Sequence, residues 1–395
     1  MQGIIAGVSR LVSNIAPLIL LFVFTKTSDL AEIGLINYFI ALITIIGVLT
    51  DFGLPEVVQS FLPKSADKKG VISKSFFYEI SIVALAGAAI LLLDTVSGHS
   101  ISKGFPYILL GIILFSSSNT FILIFNGLKR ETLVSTFYLG SALLFILTSL
   151  ILNLAFGINA VESFLYGRLF SWIVFWILPL FVLFKERLIS LSEVHSEEKI
   201  LPFAFNAFLA SIAYVIAGQL DSILVTEQYG LEVNGIFKSA VFAGTIPIAL
   251  ATILQTKLIP EFSEKIEQAF SLLKKYLKWI FLLSAALLVL GLIFGNLGLT
   301  ILYNSEIASG GYWFFVAALV STLINIVNAV IFAYYYGVNK SNLVRNITVL
   351  ETIIYCITAF FTIHDINLFV LTSVFTNLGG VILSAYYLKK LSQSA

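Results

Sequence analysis

The sequence is poor in sulfur, histidine and charge, and each shortage argues against a class of site. Its 395 residues include one cysteine, one methionine and three histidines, and charged residues make up only 11%. A lone cysteine, Cys356, forms no intrachain disulfide, and His99, His195 and His364 are too scattered to predict a metal site. No GxxxxGK[ST] loop is present, which argues against ATP hydrolysis, and a net charge of +1 gives no basis for binding nucleic acid.

Apolar residues are abundant and occur in long runs. They make up 59% of the chain, the mean hydropathy is +1.00, and each of twelve runs is long enough to cross about 30 Å of hydrocarbon as a helix. The predicted fold class is therefore an all-α polytopic membrane protein with twelve transmembrane helices. The predicted spans are 3–24, 33–54, 75–95, 106–126, 133–155, 161–184, 203–226, 233–256, 279–302, 309–337, 341–363 and 366–388.

The predicted connections are short. None on the outer side is longer than about a dozen residues, so we expect no catalytic domain outside the membrane and no enzyme activity. The first run has neither a basic leading segment nor a small-residue cleavage site, and we interpret it as a retained span.

Lys and Arg residues concentrate in every second connection, which predicts the orientation of the chain. Such residues flanking short loops resist translocation, so the basic connections are predicted to be cytoplasmic, with both termini on that side. The other connections hold only Lys26 and Lys103. The basic connections, or their edges, hold Lys64, Lys68, Lys69 and Lys74; Lys129 and Arg130; Lys185, Arg187 and Lys199; Lys257, Lys265, Lys274, Lys275 and Lys278; Lys340 and Arg345; and Lys389 and Lys390.

The chain contains an internal repeat. Residues 25–34 align without a gap with residues 226–235, an offset of 201 positions (235 − 34). Because six spans separate the copies, both enter the bilayer from the same side, and such parallel repeats place a cavity between two halves. Two further pairs agree, namely 54–56 with 259–261 and 127–134 with 337–344.

The repeat predicts two six-helix lobes around a central cavity. The N-terminal lobe comprises residues 1–184, a cytoplasmic linker 185–202, and the C-terminal lobe 203–395. In the second lobe, residues 259–278 space apolar positions as one face of a helix with lysines between them, which predicts a helix lying in the membrane interface. The alternative is a cytoplasmic extension of the ninth span.

Three cations lie inside predicted spans, namely Arg10, Arg168 and Lys238. A charge at mid-bilayer costs roughly 2.5–3.5 kcal/mol on insertion scales, unless it faces water, a carboxylate or an anionic ligand. We expect these cations to bind an anionic substrate. The alternatives are that Arg10 snorkels to the interface and that Arg168 and Lys238 pair with neighbouring residues, Asp221 being the obvious partner for Lys238.

The sixth span adds aromatic residues to one of these cations. Phe164, Arg168, Trp172 and Trp176 recur every four residues and therefore share a helix face. Such a face suits an anionic, sugar-bearing ligand, with the rings against the sugars and the guanidinium on phosphate. The alternative is a stripe of aromatic residues that packs in the core or faces lipid.

Glu351 lies about ten residues from either end of the eleventh span. A carboxylate at that depth is protonated, paired or open to a water-filled cavity. We interpret Glu351, with Asp221, as a candidate site for proton or sodium coupling, and we predict no other cofactor. The alternative for Glu351 is a hydrogen bond to an Asn or Ser of a neighbouring helix.

Several short motifs resemble those of polysaccharide-exporting flippases, a branch of the multidrug/oligosaccharidyl-lipid/polysaccharide (MOP) superfamily. In the second half they are QLDSIL (219–224), GIF (235–237) and PEF (260–262), and in the first half EIGL (32–35) and DFGL (51–54). Phe237 stands where the family usually has tyrosine.

This resemblance implies a function. It implies two six-helix lobes forming a V, and alternating access that moves an undecaprenyl-pyrophosphate-linked oligosaccharide from the inner to the outer leaflet of a bacterial inner membrane. O-antigen or a related surface polysaccharide is the implied product, and other polysaccharide-assembly membrane proteins are possible partners. In the related lipid II flippases, cations on the first and eighth spans line the cavity, and Arg10 and Lys238 match them by span.

Two rival functions are open. A multidrug/cation antiporter of the same superfamily would favour carboxylates in the cavity, whereas the cations inside these spans favour an anionic substrate. A membrane polysaccharide polymerase or ligase would carry a sizeable outer loop with catalytic residues, and no connection here is long enough.

Overall fold

The computed structural model describes residues 2–62, 65–96, 120–189, 200–248, 250–251, 254, 258–259, 261–262, 265–338 and 340–394. Its described part is built of helices and contains no strand. The helices are α1 (Gln2–Phe24), α2 (Leu30–Asp51), α3 (Leu54–Phe61), α4 (Lys68–Val96), α5 (120–127), α6 (Glu131–Leu150), α7 (Ala160–Lys185), α8 (Ile200–Tyr229), α9 (Leu231–Thr245), α10 (Ala269–Leu302), α11 (Ser305–Gly337), α12 (Ser341–Thr362) and α13 (Ile366–Ser394).

The helices agree with a multi-pass membrane protein. Within the described residues, 7 helices are long and apolar enough to cross a membrane, or up to 8 if the two parts of α8, bent by 40°, form one span. The predicted all-α class is therefore confirmed, whereas the total of twelve spans stays a prediction. The predicted fourth span, 106–126, lies mostly outside the described residues.

Asparagine side chains cap two of the long helices. The Asn159 side chain accepts a hydrogen bond of 2.8 Å from the backbone N–H of Glu162 at the start of α7. Asn304 does the same for Ile307 at the start of α11, also at 2.8 Å. Each cap satisfies one of the backbone donors that a helix leaves unpaired at its beginning, so it fixes where the helix starts.

The predicted interfacial helix over 259–278 is wrong for its second half. Helix α10 begins at Ala269, so residues 269–278 continue into the ninth span, as the alternative described. The physical reason is that the apolar face packs on protein instead of lipid headgroups. Phe262, Ala269 and Leu273 are buried in one hydrophobic cluster with residues of α11.

The chain divides into two compact units by its internal contacts. The first consists of residues 1–24 and 38–215, and the second of residues 25–37 and 216–395. Helices α2 and α8 each contribute to both units. The lobe boundary predicted at 185–202 stays a prediction, because part of that segment lies outside the described residues.

Each unit has its own core. In the first, α6 packs against α1 and α7. In the second, α11 is the central helix and packs against α9, α10 and α13. In its most apolar 18-residue stretch, 78% of the residues are buried, a larger share than in any other described span. Polar side chains on α11 are therefore enclosed by neighbouring helices.

The internal repeat forms a reciprocal contact inside the second unit. A Cβ atom added at Gly34 of α2 would overlap the carbonyl oxygen of Leu231, and one added at Gly235 of α9 would overlap that of Leu30. Gly34 and Gly235 are equivalent residues of the two repeats, as are Leu30 and Leu231, each pair being 201 positions apart (235 − 34). Each glycine therefore contacts the leucine of the other repeat in the same way. Only glycine lets the two backbones approach this closely. The Asn234 side-chain amide also donates a hydrogen bond of 3.0 Å to the Gly34 carbonyl.

We expect Gly34→Leu to destabilise the protein, because the new side chain meets backbone that cannot rotate away. Overpacking of this kind costs about 1–3 kcal/mol. Gly298→Leu is the matched control, since a Cβ atom at Gly298 of α10 has open space around it. Thermal unfolding of the purified protein in detergent should show a lower midpoint for the first variant alone. Equal midpoints for both variants would contradict the reciprocal contact.

Candidate functional site

Lys238 and Asp221 form a buried ion pair in the second unit. The Lys238 ammonium on α9 lies 2.6 Å from a carboxylate oxygen of Asp221 on α8, and the two side chains are 3% and 15% exposed. Lys238 also donates to the carbonyl of Gly218 at 3.3 Å and lies 5.6 Å from the ring centre of Phe242. The pairing anticipated as an alternative is therefore present, and Lys238 is a compensated charge in this conformation.

Helix α9 positions this lysine about 10 Å from its first residue, Leu231, at 1.5 Å per residue. Tyr355 of α12 is buried and interacts electrostatically with Asp221. Tyr355 lies one helical turn beyond Glu351 on the same helix. Asp221 and Glu351 are the two candidate coupling carboxylates. Helix α12 carries Glu351 and also Tyr355, which interacts with Asp221.

The position that corresponds to Lys238 in the first repeat is Asn37, three residues beyond the aligned segment. Asn37 is 2% exposed, and neither its amide nitrogen nor its oxygen has a hydrogen-bond partner among the described residues. An unpaired buried amide costs free energy, so such a group calls for an explanation, of which a functional role is one. The sequence did not point to Asn37, although the repeat aligns it with a candidate.

The Lys238–Asp221 pair predicts a non-additive effect on stability. Lys238→Met leaves a buried carboxylate without its partner and should cost about 3–5 kcal/mol, whereas the double variant Lys238→Met/Asp221→Asn should recover most of that loss. A double-mutant cycle of thermal unfolding in detergent measures the coupling. Additive losses in the cycle would show that the pair contributes no interaction energy.

Glu351 on α12 belongs to a polar cluster between three helices of the second unit. The Asn328 amide on α11 donates a hydrogen bond of 3.1 Å to a Glu351 carboxylate oxygen. Asn328 in turn accepts a hydrogen bond of 2.7 Å from the hydroxyl of Ser384 on α13. The hydroxyl of Tyr335, also on α11, donates to the Ser384 carbonyl at 2.6 Å. The predicted alternative, a hydrogen bond from a neighbouring asparagine, is thus observed.

A glycine gives Glu351 its place in this cluster. A Cβ atom at Gly380 of α13 would fall on the Glu351 carboxylate oxygen, so the carboxylate occupies the volume that any side chain at that position would need. Gly380 and Ser384 are one turn apart and present one face of α13 to the cluster.

Arg168 lies in the first unit between two aromatic rings. Its guanidinium carbon is 4.7 Å from the ring centre of Phe145 on α6 and 4.8 Å from that of Trp172, one turn further along α7. Both distances are typical of cation–π contacts, each worth about 0.5–2 kcal/mol. Among the described residues, Arg168 has no carboxylate and no hydrogen-bond acceptor as a partner.

The predicted aromatic face of α7 is packed against the interior of the first unit. Trp172 is 6% exposed and contacts Ile43 and Leu169, and Trp176 packs on the same cluster. The indole N–H of Trp176 has no hydrogen-bond partner in the described part of the chain. The rings orient Arg168, and the N–H of Trp176 is a donor still to be satisfied.

The structure brings some of the predicted site residues together. Arg168, Trp172 and Trp176 belong to the first unit, and Lys238, Asp221 and Glu351 to the second. Arg10 belongs to α1, but its side chain lies outside what the structure describes. Whether these residues bind substrate or an ion stays a prediction.

A fully buried carboxylate escaped the sequence analysis. Glu79 on α4 is fully buried and accepts a hydrogen bond of 2.9 Å from the hydroxyl of Thr120. Glu79 lies inside the predicted third span, 75–95. A carboxylate inside a span is a candidate functional residue by default, so its position could have identified it from the sequence. Its partner, 41 residues away in sequence, cannot be read from local pattern.

These helices and buried charges define a class, an integral membrane protein with several helical spans. The sequence profile of the polysaccharide biosynthesis protein family matches residues 2–266. The chain belongs to this family, which confirms the resemblance drawn from its short motifs. Comparison with curated protein sequences finds no match.

Solved structures share the fold over nearly the whole chain. An inward-facing multidrug resistance MATE family transporter of the MOP superfamily is 16% identical, with a TM-score of 0.71, over 98% of this chain and 96% of its own. MATE in complex with MaD5 is 16% identical, with a TM-score of 0.68, over 99% and 95%. A MOP superfamily transporter from Pyrococcus furiosus, whose reversed binding-pocket polarity is said to suggest a different function, is 17% identical, with a TM-score of 0.65, over 98% and 95%.

Proposed function

We propose that the protein is a flippase that moves undecaprenyl-pyrophosphate-linked oligosaccharide units from the inner to the outer leaflet of a bacterial inner membrane. The product would be O-antigen or a related surface polysaccharide. Membership of the polysaccharide biosynthesis family supports a polysaccharide precursor as substrate. The observation that carries the proposal is the environment of Arg168.

The chemistry of Arg168 suits a pyrophosphate. The rings of Phe145 and Trp172 stabilise the guanidinium through cation–π contacts but leave its positive charge without a counter-charge. Its N–H groups have no hydrogen-bond acceptor among the described residues. A planar guanidinium held by aromatic rings keeps these donors in one orientation, and the fork matches two phosphate oxygens. A cation that is to meet a substrate anion is best left without a permanent carboxylate partner.

Lys238 has a different part in the proposal. In this conformation it is paired with Asp221, so a substrate anion reaches it only when that pair opens. We therefore propose that Arg168 is available to an anion in this conformation and that Lys238 becomes available when its pair with Asp221 opens. Arg10 is the third proposed contact.

Ion coupling is the remaining part of the proposal. Glu351 is the proposed coupling carboxylate, with Asp221 as the second acidic group, and a proton or sodium gradient would supply the free energy. A carboxylate inside helical spans exchanges its ion only when the conformation opens it to one side, which links ion exchange to alternating access.

The rival function is a multidrug/cation antiporter. The buried carboxylate Glu79, the partly buried Glu351 and the MATE-like fold favour it, because a cationic drug needs acidic partners. The uncompensated Arg168 favours an anion instead. The two functions differ in the charge of the substrate and are separable by one assay.

Reconstitution in liposomes provides that assay. We expect the purified protein to expose lipid-linked oligosaccharide in the opposite leaflet, detected by a membrane-impermeant sugar-binding lectin, and not to move a lipophilic cationic dye. Protein-free liposomes give the background. Dye movement without sugar exposure would reject the flippase and establish the antiporter.

A further inference from the structure

The polar cluster around Glu351 presents hydrogen-bond donors to the carboxylate. The group of Asn328 that faces Glu351 is the amide nitrogen, at 3.1 Å, and the amide oxygen faces away toward Ser384. An asparagine side chain offers either an oxygen ligand or N–H donors to a neighbour, depending on how its amide is turned. Here the orientation favours donors.

Ser384 is the residue that sets this orientation. Its hydroxyl donates to the Asn328 oxygen at 2.7 Å, and its own carbonyl is bound by the Tyr335 hydroxyl, so α13 and α11 are joined at this point. Asn328, Ser384 and Tyr335 are all buried, and water is excluded from competing for these groups. Rotating the amide would cost the Ser384–Asn328 hydrogen bond unless the hydroxyl changed from donor to acceptor.

These contacts are unsuited to sodium. A hard cation is held by several oxygen ligands from carboxylates, carbonyls or water. At Glu351 the nearest side-chain group is a nitrogen donor, the Asn328 oxygen is already engaged, and Gly380 contributes no side chain. The carboxylate also fills the volume beside Gly380, which leaves no space on that side for an ion with its shell.

We propose that Glu351 binds a proton and rejects sodium, and that Ser384 is the positioning residue that makes this choice by holding the Asn328 amide nitrogen toward the carboxylate. This inference rests on the proposed coupling role of Glu351 and goes further by identifying the ion.

The proton balance of the step is simple. A proton from water binds the Glu351 carboxylate oxygen that Asn328 does not contact. The Asn328 amide nitrogen keeps donating to the other oxygen, which becomes the carbonyl oxygen of the neutral acid, and Ser384 keeps donating to the Asn328 oxygen. No atom other than the proton enters or leaves the cluster.

The groups around Glu351 from the neighbouring helices are uncharged. Asn328 comes from α11, and Gly380 and Ser384 come from α13. The titratable groups around the cluster are Tyr335 of α11, which reaches it through Ser384, Tyr334 and Tyr387 near Tyr335, and Tyr355 and Cys356 on α12 itself. In the described part of the chain, Glu351 is therefore the carboxylate of this cluster.

Two binding measurements on the purified full chain in detergent test the proposal without any lipid-linked sugar. Protons taken up during a pH titration are counted with an indicator dye, and sodium binding is counted with radioactive sodium. We expect Glu351→Gln to take up one proton fewer than the unaltered protein, and neither protein to retain sodium. Sodium retention that Glu351→Gln abolishes, or equal proton uptake by both proteins, would overturn the proposal.

Ser384→Ala tests the positioning role against Ser373→Ala on the same helix. The Ser373 hydroxyl bonds only to the carbonyl of Val370 on its own helix. Freed from Ser384, the Asn328 amide can turn its oxygen toward Glu351, so we expect Ser384→Ala to gain sodium retention and Ser373→Ala to gain none. Sodium retention that is equally absent in both variants would refute the role of Ser384. Because these readouts need no transport, a failed flippase assay would reject the proposed substrate and leave the ion assignment standing.

Discussion

Arg168→Ala is expected to abolish export at normal protein levels, whereas Arg168→Lys keeps part of it. Alanine removes both the charge and the donors that we assign to the pyrophosphate. Lysine keeps a charge at the same depth but loses the planar fork and much of the contact with Phe145 and Trp172. The measurement is the rate at which lipid-linked oligosaccharide becomes accessible to lectin in liposomes, divided by the amount of folded protein.

Lys185→Ala is the matched control for this charge. Lys185 is an exposed cation in the last turn of α7, the helix that carries Arg168, and its loss should leave export unchanged. Trp172→Ala should impair export more than Trp176→Ala, because Trp172 covers the guanidinium directly. Normal export by Arg168→Ala would show that the pyrophosphate contact lies elsewhere.

Glu351→Gln is expected to remove the response of transport to an imposed pH gradient while binding of lipid-linked oligosaccharide persists. Glutamine keeps the size of the side chain and still accepts the hydrogen bond from Asn328, but it cannot gain or lose a proton. Binding is measured by tryptophan fluorescence in detergent, and transport in liposomes with and without the gradient.

Glu306→Gln is the control for this second variant. Glu306 is exposed in the first turn of α11, and neutralising it should leave the gradient response intact. A response to sodium instead of pH, lost in Glu351→Gln, would retain Glu351 as the coupling residue and change the ion. An unchanged pH response in Glu351→Gln would reduce Glu351 to a structural hydrogen-bond partner.

The apolar runs and the internal repeat predicted part of the fold from the sequence. The apolar runs predicted the spans of α1, α7 and α12 to within one residue at each end, because about twenty mostly apolar residues satisfy their backbone groups in hydrocarbon by forming a helix, even with Pro17 in α1 and Pro179 in α7. The offset between the copies paired Gly34 with Gly235, and the structure places these two residues in one reciprocal contact. Family membership likewise followed from motifs of a few residues.

The sequence could not identify which residues of other helices contact Glu351. Glu351 and Asn328 are 23 residues apart and Ser384 and Asn328 are 56 apart, so no periodicity within one helix relates them. The burial of Glu79 beside Thr120 and the continuation of α10 back to Ala269 were decided in the same way, by what packs alongside.

The sequence by itself thus determined the class of protein, the helical runs and the charges that a bilayer makes costly. Only the tertiary structure decided that Lys238 is paired with Asp221 while Arg168 lies between aromatic rings. The reason is that hydrophobic periodicity reports how one helix divides its faces between apolar and polar surroundings, whereas the partner of a buried charge depends on which other helix lies opposite and at what register.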